Sequence, residues 1–131
     1  MKKIISLILS FVLISSANAF AVSIDDINSA ISDTEKYLYE NSQTPTVSSI
    51  GGEWLIMGLS RNDGDISDSY YEDYYNNVVN YVKECGGVLH NKKYTEYSRV
   101  ITALTSIGKD PQNVGGYNLL LPLGDFEKTT W

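Results

Sequence analysis

The sequence predicts an all-α fold built from antiparallel helix pairs, and three observations lead to that prediction. Apolar residues recur at helical spacing in several segments of the chain. Glycine follows the last apolar residue of two of these segments, as is typical of a helix C-terminus. Residues 55–60 and 100–105 align at an offset of 45 residues, and a period of about 40–50 residues is typical of stacked helix pairs.

Residues 1–19 are predicted to be a secretory signal peptide. Lys2 and Lys3 precede an apolar run over 4–14, and Ala-Asn-Ala at 17–19 places small residues two apart, as a signal peptidase prefers. The run is shorter than the roughly 20 apolar residues that span a bilayer, so no transmembrane segment is predicted. We expect a secreted or cell-surface protein, cleaved after Ala19 or Ala21.

The charge balance becomes more acidic when the signal peptide is removed. The whole chain has 10 basic and 16 acidic residues and a net charge of −6. Without Lys2 and Lys3 the balance is 8 to 16, or −8. Such a surface disfavours nucleic acid, because phosphate binding needs clustered Lys and Arg. Cys85 is the only cysteine, which excludes an internal disulfide.

The N-terminal part of the mature chain, residues 20–44, is predicted to be one helix and a linker. Ser23 and Asp26 match a capping box, in which each side chain accepts a hydrogen bond from the other residue's backbone N–H. The helix is expected over 23–40. Residues 41–49 contain Pro45 and many hydroxyl side chains, which indicates a loop.

The remainder, residues 45–131, is predicted to be a domain of helix-pair repeats. The almost wholly apolar segment 53–60 is interpreted as its first helix. A second helix is expected to begin at a capping box formed by Ser69 and Glu72 and to end near Cys85, where Gly86-Gly87 follows. A third is expected over 94–107, and a last, short one over 117–126.

Catalytic and metal-binding patterns are weak. Asp63, Asp65 and Asp68 lie close together, but the spacing is not that of an EF-hand loop, and a solvated turn is the favoured interpretation. Cys85 and His90 are too few for a tetrahedral zinc site. The sequence has no nucleophile-elbow motif. We therefore predict no catalytic residue, no metal and no cofactor.

Four segments, 51–59, 70–71, 95–111 and 116–120, are similar to secreted bacterial proteins of the terpenoid-cyclase/prenyltransferase-like α/α-toroid group. The run Tyr-Ser-Arg-x-x-x-Ala-Leu-x-x-x-Gly-x-Asp-Pro over 97–111 is the most specific part. The resemblance implies part of an α/α toroid or a short α-solenoid, an architecture shared with vitamin B12 carriers. The Asp-x-Asp-Asp and repeated Gln…Trp motifs of the cyclases are missing.

The resemblance also implies a ligand-binding wall, because two of the helices would line the inside of the toroid. The residues expected there are Trp54, Glu96, Tyr97, Arg99 and Tyr117. With ten tyrosines in the chain, the leading hypothesis is a non-catalytic binding module for a small molecule or glycan on an aromatic concave face. The alternatives are a degenerate or partial cyclase/prenyltransferase-like enzyme and an N-terminal fragment without independent function.

The resemblance has a consequence for partners. The mature chain has room for about two and a half helix pairs, whereas a full toroid of the resembled group has about six. The expected partner is therefore the remainder of the toroid or another copy of the chain.

Overall fold

The computed structural model describes residues 22–47, 49–62 and 64–125. The predicted signal peptide, Asp63 and the end of the last predicted helix, at Phe126, lie outside the described residues. The chain divides into two compact units, Met1–Ile31 and Ser32–Trp131.

The described secondary structure is helical. Its α-helices are α1 (Ile24–Asn41), α2 (Trp54–Leu59), α3 (Asp68–Glu84) and α4 (Thr95–Ser106), with one turn of π-helix at Ser49–Glu53 and a short 3₁₀-helix at Leu121–Gly124. Within the described ranges the only β-type pairing is a single bridge between Val114 and Tyr117. The predicted all-α class is confirmed, and its arrangement as part of a toroid stays a prediction.

Helix α1 begins at the predicted capping box. The Asp26 N–H donates to Ser23 Oγ at 3.0 Å, and the Ser23 N–H donates to Asp26 Oδ2 at 3.2 Å. The Ser23 hydroxyl donates to the same carboxylate at 2.7 Å, and these hydrogen bonds lower the pKa of Asp26. The helix start was predictable because all of these contacts are local.

The predicted start of α3 is wrong by one or two residues. The cap is Ser67, which is extended (φ −66°, ψ 142°) and makes no side-chain capping hydrogen bond. Ser69 lies inside the first turn, and its hydroxyl pairs with that of Ser67 at 2.9 Å. Because Ser67 already ends the extended loop, Asp68 occupies the first turn, where a negative charge favours a helix.

The end of α3 agrees with the prediction. Gly86 and Gly87 have φ angles of 61° and 81°, in the left-handed region that glycine adopts without strain. The Gly87 N–H donates to Val82 O at 2.8 Å and the Gly86 N–H to Lys83 O at 3.1 Å, which closes the last turn.

The last predicted helix is largely absent. Gly115 and Gly116 have positive φ angles and form a turn, closed by the bridge between Val114 and Tyr117. Only Leu121–Gly124 is helical in the described part of this segment. Leu119, fully buried, attaches the segment to the core, and its N–H donates to Pro111 O at 3.0 Å.

Helices α2 and α4 lie side by side and run in the same direction. Glu53, immediately before α2, contacts Arg99, and Ser60, immediately after α2, contacts Ser106. Both contacts join residues 46 positions apart. Because the two contacts occur in the same order along both helices, the helices are parallel. This places the two segments that align in sequence next to each other in space.

Helix α3 packs its buried face into the core that α2 and α4 share. The buried side chains of α3 are Tyr70, Tyr74, Val78 and Val82. They join a single cluster with Leu55, Ile56 and Leu59 of α2 and with Tyr97, Val100, Ala103 and Leu104 of α4. Burial of these apolar surfaces is the main force that holds the three helices together.

The two most buried tyrosines of α3 differ in the hydrogen bonding of their hydroxyl groups. The Tyr70 hydroxyl donates to Ser42 O at 2.7 Å, and burial raises its pKa to about 12. Tyr74 is fully buried, and its hydroxyl has no hydrogen-bond partner among the described residues. When a buried polar group has no hydrogen-bond partner, nothing offsets the free energy lost when it leaves water.

We expect Tyr74→Phe to leave the free energy of unfolding unchanged or to raise it by up to about 1 kcal/mol, because no hydrogen bond is lost. The matched variant Tyr70→Phe should lower it by about 1 kcal/mol, because the Ser42 carbonyl loses its donor. Urea denaturation followed by circular dichroism measures both. A larger loss in Tyr74→Phe than in Tyr70→Phe would contradict this assignment.

Candidate binding face

Arg99 of α4 holds the N-terminal ends of α2 and α4 together. Its Nε donates to Glu53 Oε2 at 3.0 Å, and its two terminal nitrogens donate to the carboxylate of Glu96, one turn earlier on the same helix. The Arg99 side chain is 17% exposed and that of Glu96 31%. Glu96 and Arg99, both predicted to bind ligand, are therefore paired with each other, and Arg99 is also paired with Glu53.

Glu53 is the most buried acid of this site. It is fully buried, and its Oε1 has no hydrogen-bond partner among the described residues. Burial raises the pKa of Glu53, and the hydrogen bond from Arg99 opposes that shift without cancelling it. Burial raises the pKa of Tyr74, and the charge of Glu53 raises it further.

Tyr97 anchors the linker between α3 and α4 instead of facing solvent. It is 2% exposed. Its hydroxyl accepts a hydrogen bond from the Leu89 N–H at 3.0 Å and donates to Gly87 O at 3.4 Å. Burial raises the pKa of Tyr97, so the hydroxyl remains a donor.

Trp54 and Tyr117 are both exposed. Trp54 begins α2 and is 60% exposed. The Tyr117 ring packs against Gly87, where a Cβ would come within 2.4 Å of the ring. The five residues predicted as one wall thus comprise an ion-paired couple, a buried anchor and two exposed rings. Their role in ligand binding stays a prediction.

A surface rich in hydroxyl side chains lies along α2 and α4 on the side away from the core. We define this outer face by Trp54, Gly58 and Arg61 of the α2 segment and by Ser98, Thr102 and Thr105 of α4, all at least partly exposed. A surface groove of about 520 Å³ lies at its C-terminal end. The groove is lined by Ser60, Arg61, Ile101, Thr102, Thr105 and Ser106.

The hydroxyl groups of α4 are turned toward their own helix. Thr102 Oγ1 donates to Ser98 O at 2.7 Å, and Thr105 Oγ1 donates to Ile101 O at 2.8 Å. Each hydroxyl proton is used, so the oxygens remain as hydrogen-bond acceptors beside the threonine methyl groups. The outer face therefore combines weak acceptors with apolar surface.

The soft metal ligands lie apart from this face. His90 Nδ1 accepts the N–H groups of Lys92 and Lys93, each at 3.0 Å, which occupies that nitrogen. Cys85 is a free, half-buried thiol that contacts Val82 O at 3.5 Å. In the ranges that the structure describes, no three His, Cys, Asp or Glu side chains are grouped to hold a metal ion. None of the described helices is long and apolar enough to cross a membrane.

Sequence reasoning missed two parts of this site. Glu53 was interpreted only as part of a helix, although its carboxylate is the partner of Arg99. The hydroxyl residues at 98, 102 and 105 follow an i, i+4, i+7 pattern that marks one face of a helix. That pattern was available in the sequence, whereas the Glu53 contact depends on tertiary packing.

Comparison with known proteins adds no relative, since no family model, curated protein or solved structure matches the chain.

The Glu53 carboxyl makes stability depend on pH. Because its pKa is raised in the folded chain, the unfolded chain releases this proton first as pH rises above the ordinary value of 4.5. The folded form then binds more protons, so this contribution to stability is present at low pH and is lost as pH rises through the folded pKa.

We therefore expect the melting temperature of the unmodified protein, measured relative to that of Glu53→Gln, to fall as pH rises above the ordinary pKa of 4.5. Thermal unfolding at a series of pH values measures the difference. Glu84→Gln removes the same charge from an exposed position and should show no such trend. A relative rise with pH would mean that the ion pair with Arg99 outweighs the burial of the charge.

Proposed function

We propose that the chain is an exported, non-catalytic binding module whose ligand is a neutral glycan lying on the outer face of α2 and α4. The observation that carries this proposal is a face on two parallel helices that has an exposed tryptophan at one end and a hydroxyl-rich groove at the other. A cleft of a few hundred Å³ with a few polar groups is the usual form of a small-ligand site.

The dimensions of the outer face suit an oligosaccharide. Trp54, Gly58 and Arg61 are spaced by four and three residues, so they share one side of the α2 segment. The six residues of α2 span about 9 Å, which is enough for about two sugar rings. The Trp54 ring offers a surface for stacking, and the threonine oxygens accept hydrogen bonds from sugar hydroxyls.

A binding role is favoured over catalysis by the position of Glu53, the carboxyl whose pKa burial raises among the described residues. General acid–base chemistry needs a group within hydrogen-bond reach of the substrate. Glu53 has a raised pKa but is fully buried and bound by Arg99. It therefore acts as a structural group between the two helices.

Two predictions from the sequence fit this proposal. The apolar N-terminal run supports export. The parallel run of α2 and α4, with α3 packed on both, is consistent with a helix-pair repeat, in which each unit buries its apolar face against its neighbour. On this basis we propose a partial α/α toroid of the resembled group.

The test measures binding of a panel of neutral hexose and N-acetylhexosamine oligosaccharides by saturation-transfer NMR and calorimetry. Trp54→Ala should weaken binding by about tenfold, because a stacked ring contributes about 1 kcal/mol or more. Gly58→Leu should block the face without disturbing the core, since a Cβ at Gly58 meets no atom within 4 Å.

Tyr81→Ala is the matched control, because it removes an exposed aromatic ring from α3, outside the outer face. It should leave the affinity unchanged. The proposal fails if no oligosaccharide of the panel binds, or if Tyr81→Ala weakens binding as much as Trp54→Ala does.

A further inference from the structure

A second groove, of about 370 Å³, adjoins the groove of the outer face. It is lined by the loop after α2, by the first turns of α3 and by the residues at the end of α4. Ser60 and Ser106 line both this groove and the groove of the outer face. The two grooves therefore meet at these two serines.

The junction between the two grooves is formed by small polar side chains. Ser60 Oγ donates to Ser106 Oγ at 2.8 Å, and Ser106 Oγ donates to Ala103 O at 2.8 Å. Both serines are half-buried. A hydroxyl oxygen has two acceptor positions, so Ser60 can still accept a hydrogen bond from a ligand that lies across the pair.

The second groove offers stronger hydrogen-bond acceptors than the first. Asp68 and Glu72 both line it, and they lie four residues apart on one side of α3. An ionised carboxylate only accepts hydrogen bonds, and it has about four lone-pair positions. Hydrogen bonds from hydroxyl groups to a carboxylate are shorter and stronger than those to an uncharged oxygen. Neighbouring hydroxyls of one sugar ring can donate to the two oxygens of one carboxylate.

The charges that line the two grooves balance each other. Among the described residues the first groove has Arg61, and the second has Asp68, Glu72 and Lys109. Lys109 Nζ bonds to the Glu72 carboxylate and lies 4.9 Å from the centre of the Tyr75 ring. A sugar chain with an acidic group on each unit would place like charges beside Asp68, which is unfavourable. The lining therefore favours a chain without charge.

The two grooves together offer more length than a disaccharide needs. The six residues of α2 span about 9 Å, enough for about two sugar rings. The helical turn from Asp68 to Glu72 adds about 5 Å, which is room for a further ring. A ligand that occupies both grooves therefore has about four sugar units, counting one at the junction.

We propose that the two grooves together bind an internal segment of a neutral polysaccharide, about four sugar units long, which crosses the Ser60–Ser106 pair. This inference rests on the proposed function and names the class of glycan, a long chain instead of a terminal mono- or disaccharide. Trp54 stacks on the sugars of the outer face. The Asp68 carboxylate accepts hydrogen bonds from the hydroxyls of the sugars beyond the junction.

The dependence of affinity on chain length tests this inference. The probes are β-1,4-linked oligomers of glucose and of N-acetylglucosamine, each with two, four or six units, and calorimetry measures their binding. Between two and four units the affinity should rise by about tenfold or more, because hydrogen bonds to a carboxylate are added. Between four and six units it should change little, because both grooves are then filled.

Variants of α3 locate the second groove. Asp68→Ala should lower the affinity for the six-unit oligomer by about tenfold and leave that for the two-unit oligomer unchanged. Asp73→Ala is the matched control, because it removes an exposed acid of α3 that lies outside the lining of the groove. Trp54→Ala should weaken binding at every length. Circular dichroism checks that each variant is folded.

The outcomes separate this inference from the proposed function. Equal affinity for two and six units would overturn the inference and leave the proposed function standing. Equal weakening of the six-unit oligomer by Asp73→Ala and Asp68→Ala would do the same. Absence of binding at every length would overturn the proposed function itself, and the inference with it.

Discussion

The docking of α2 on α4 is the constraint on which the rest of the structure depends. Helix α2 has six residues, and an isolated helix of that length is unstable in water. It is fixed at one end by the contact of Glu53 with Arg99 and at the other by the hydroxyl pair of Ser60 and Ser106. Between these ends its apolar side chains share one core with α3 and α4. The outer face exists because this packing keeps two short helices parallel.

The ion pair between Arg99 and Glu53 fixes the relative position of α2 and α4 more than it stabilises the fold. Burial of the Glu53 charge is expensive, and the raised pKa of that carboxyl shows that Arg99 does not offset the cost completely. The planar guanidinium contacts carboxylates before α2 and within α4, so it fixes the height of one helix relative to the other. A pair of this kind specifies one arrangement of the helices while giving little net free energy.

The parts of the fold that were predictable are those set by local chemistry. The start of α1 follows from hydrogen bonds between Ser23 and Asp26, three residues apart, and the end of α3 follows from two glycines. The start of α3 was missed because Ser67, Ser69 and their neighbours offer several caps of similar quality. In the candidate site the Glu96–Arg99 pair was foreseeable from its i, i+3 spacing. The partner of Arg99 was not, since Glu53 lies 46 residues away and no local pattern links the two.

The hydroxyl groups of α4 that bond to their own helix influence how dissolved salt acts on the outer face. Contacts made to Thr102 and Thr105 involve no formal charge, so dissolved salt has little to screen there. Arg61, at the end of the same face, acts through Coulomb attraction, which weakens as the Debye length shortens from about 10 Å at 0.1 M salt to about 3 Å at 1 M. Salt therefore acts on the arginine at one end of the outer face and hardly at all on the threonine hydroxyls along α4.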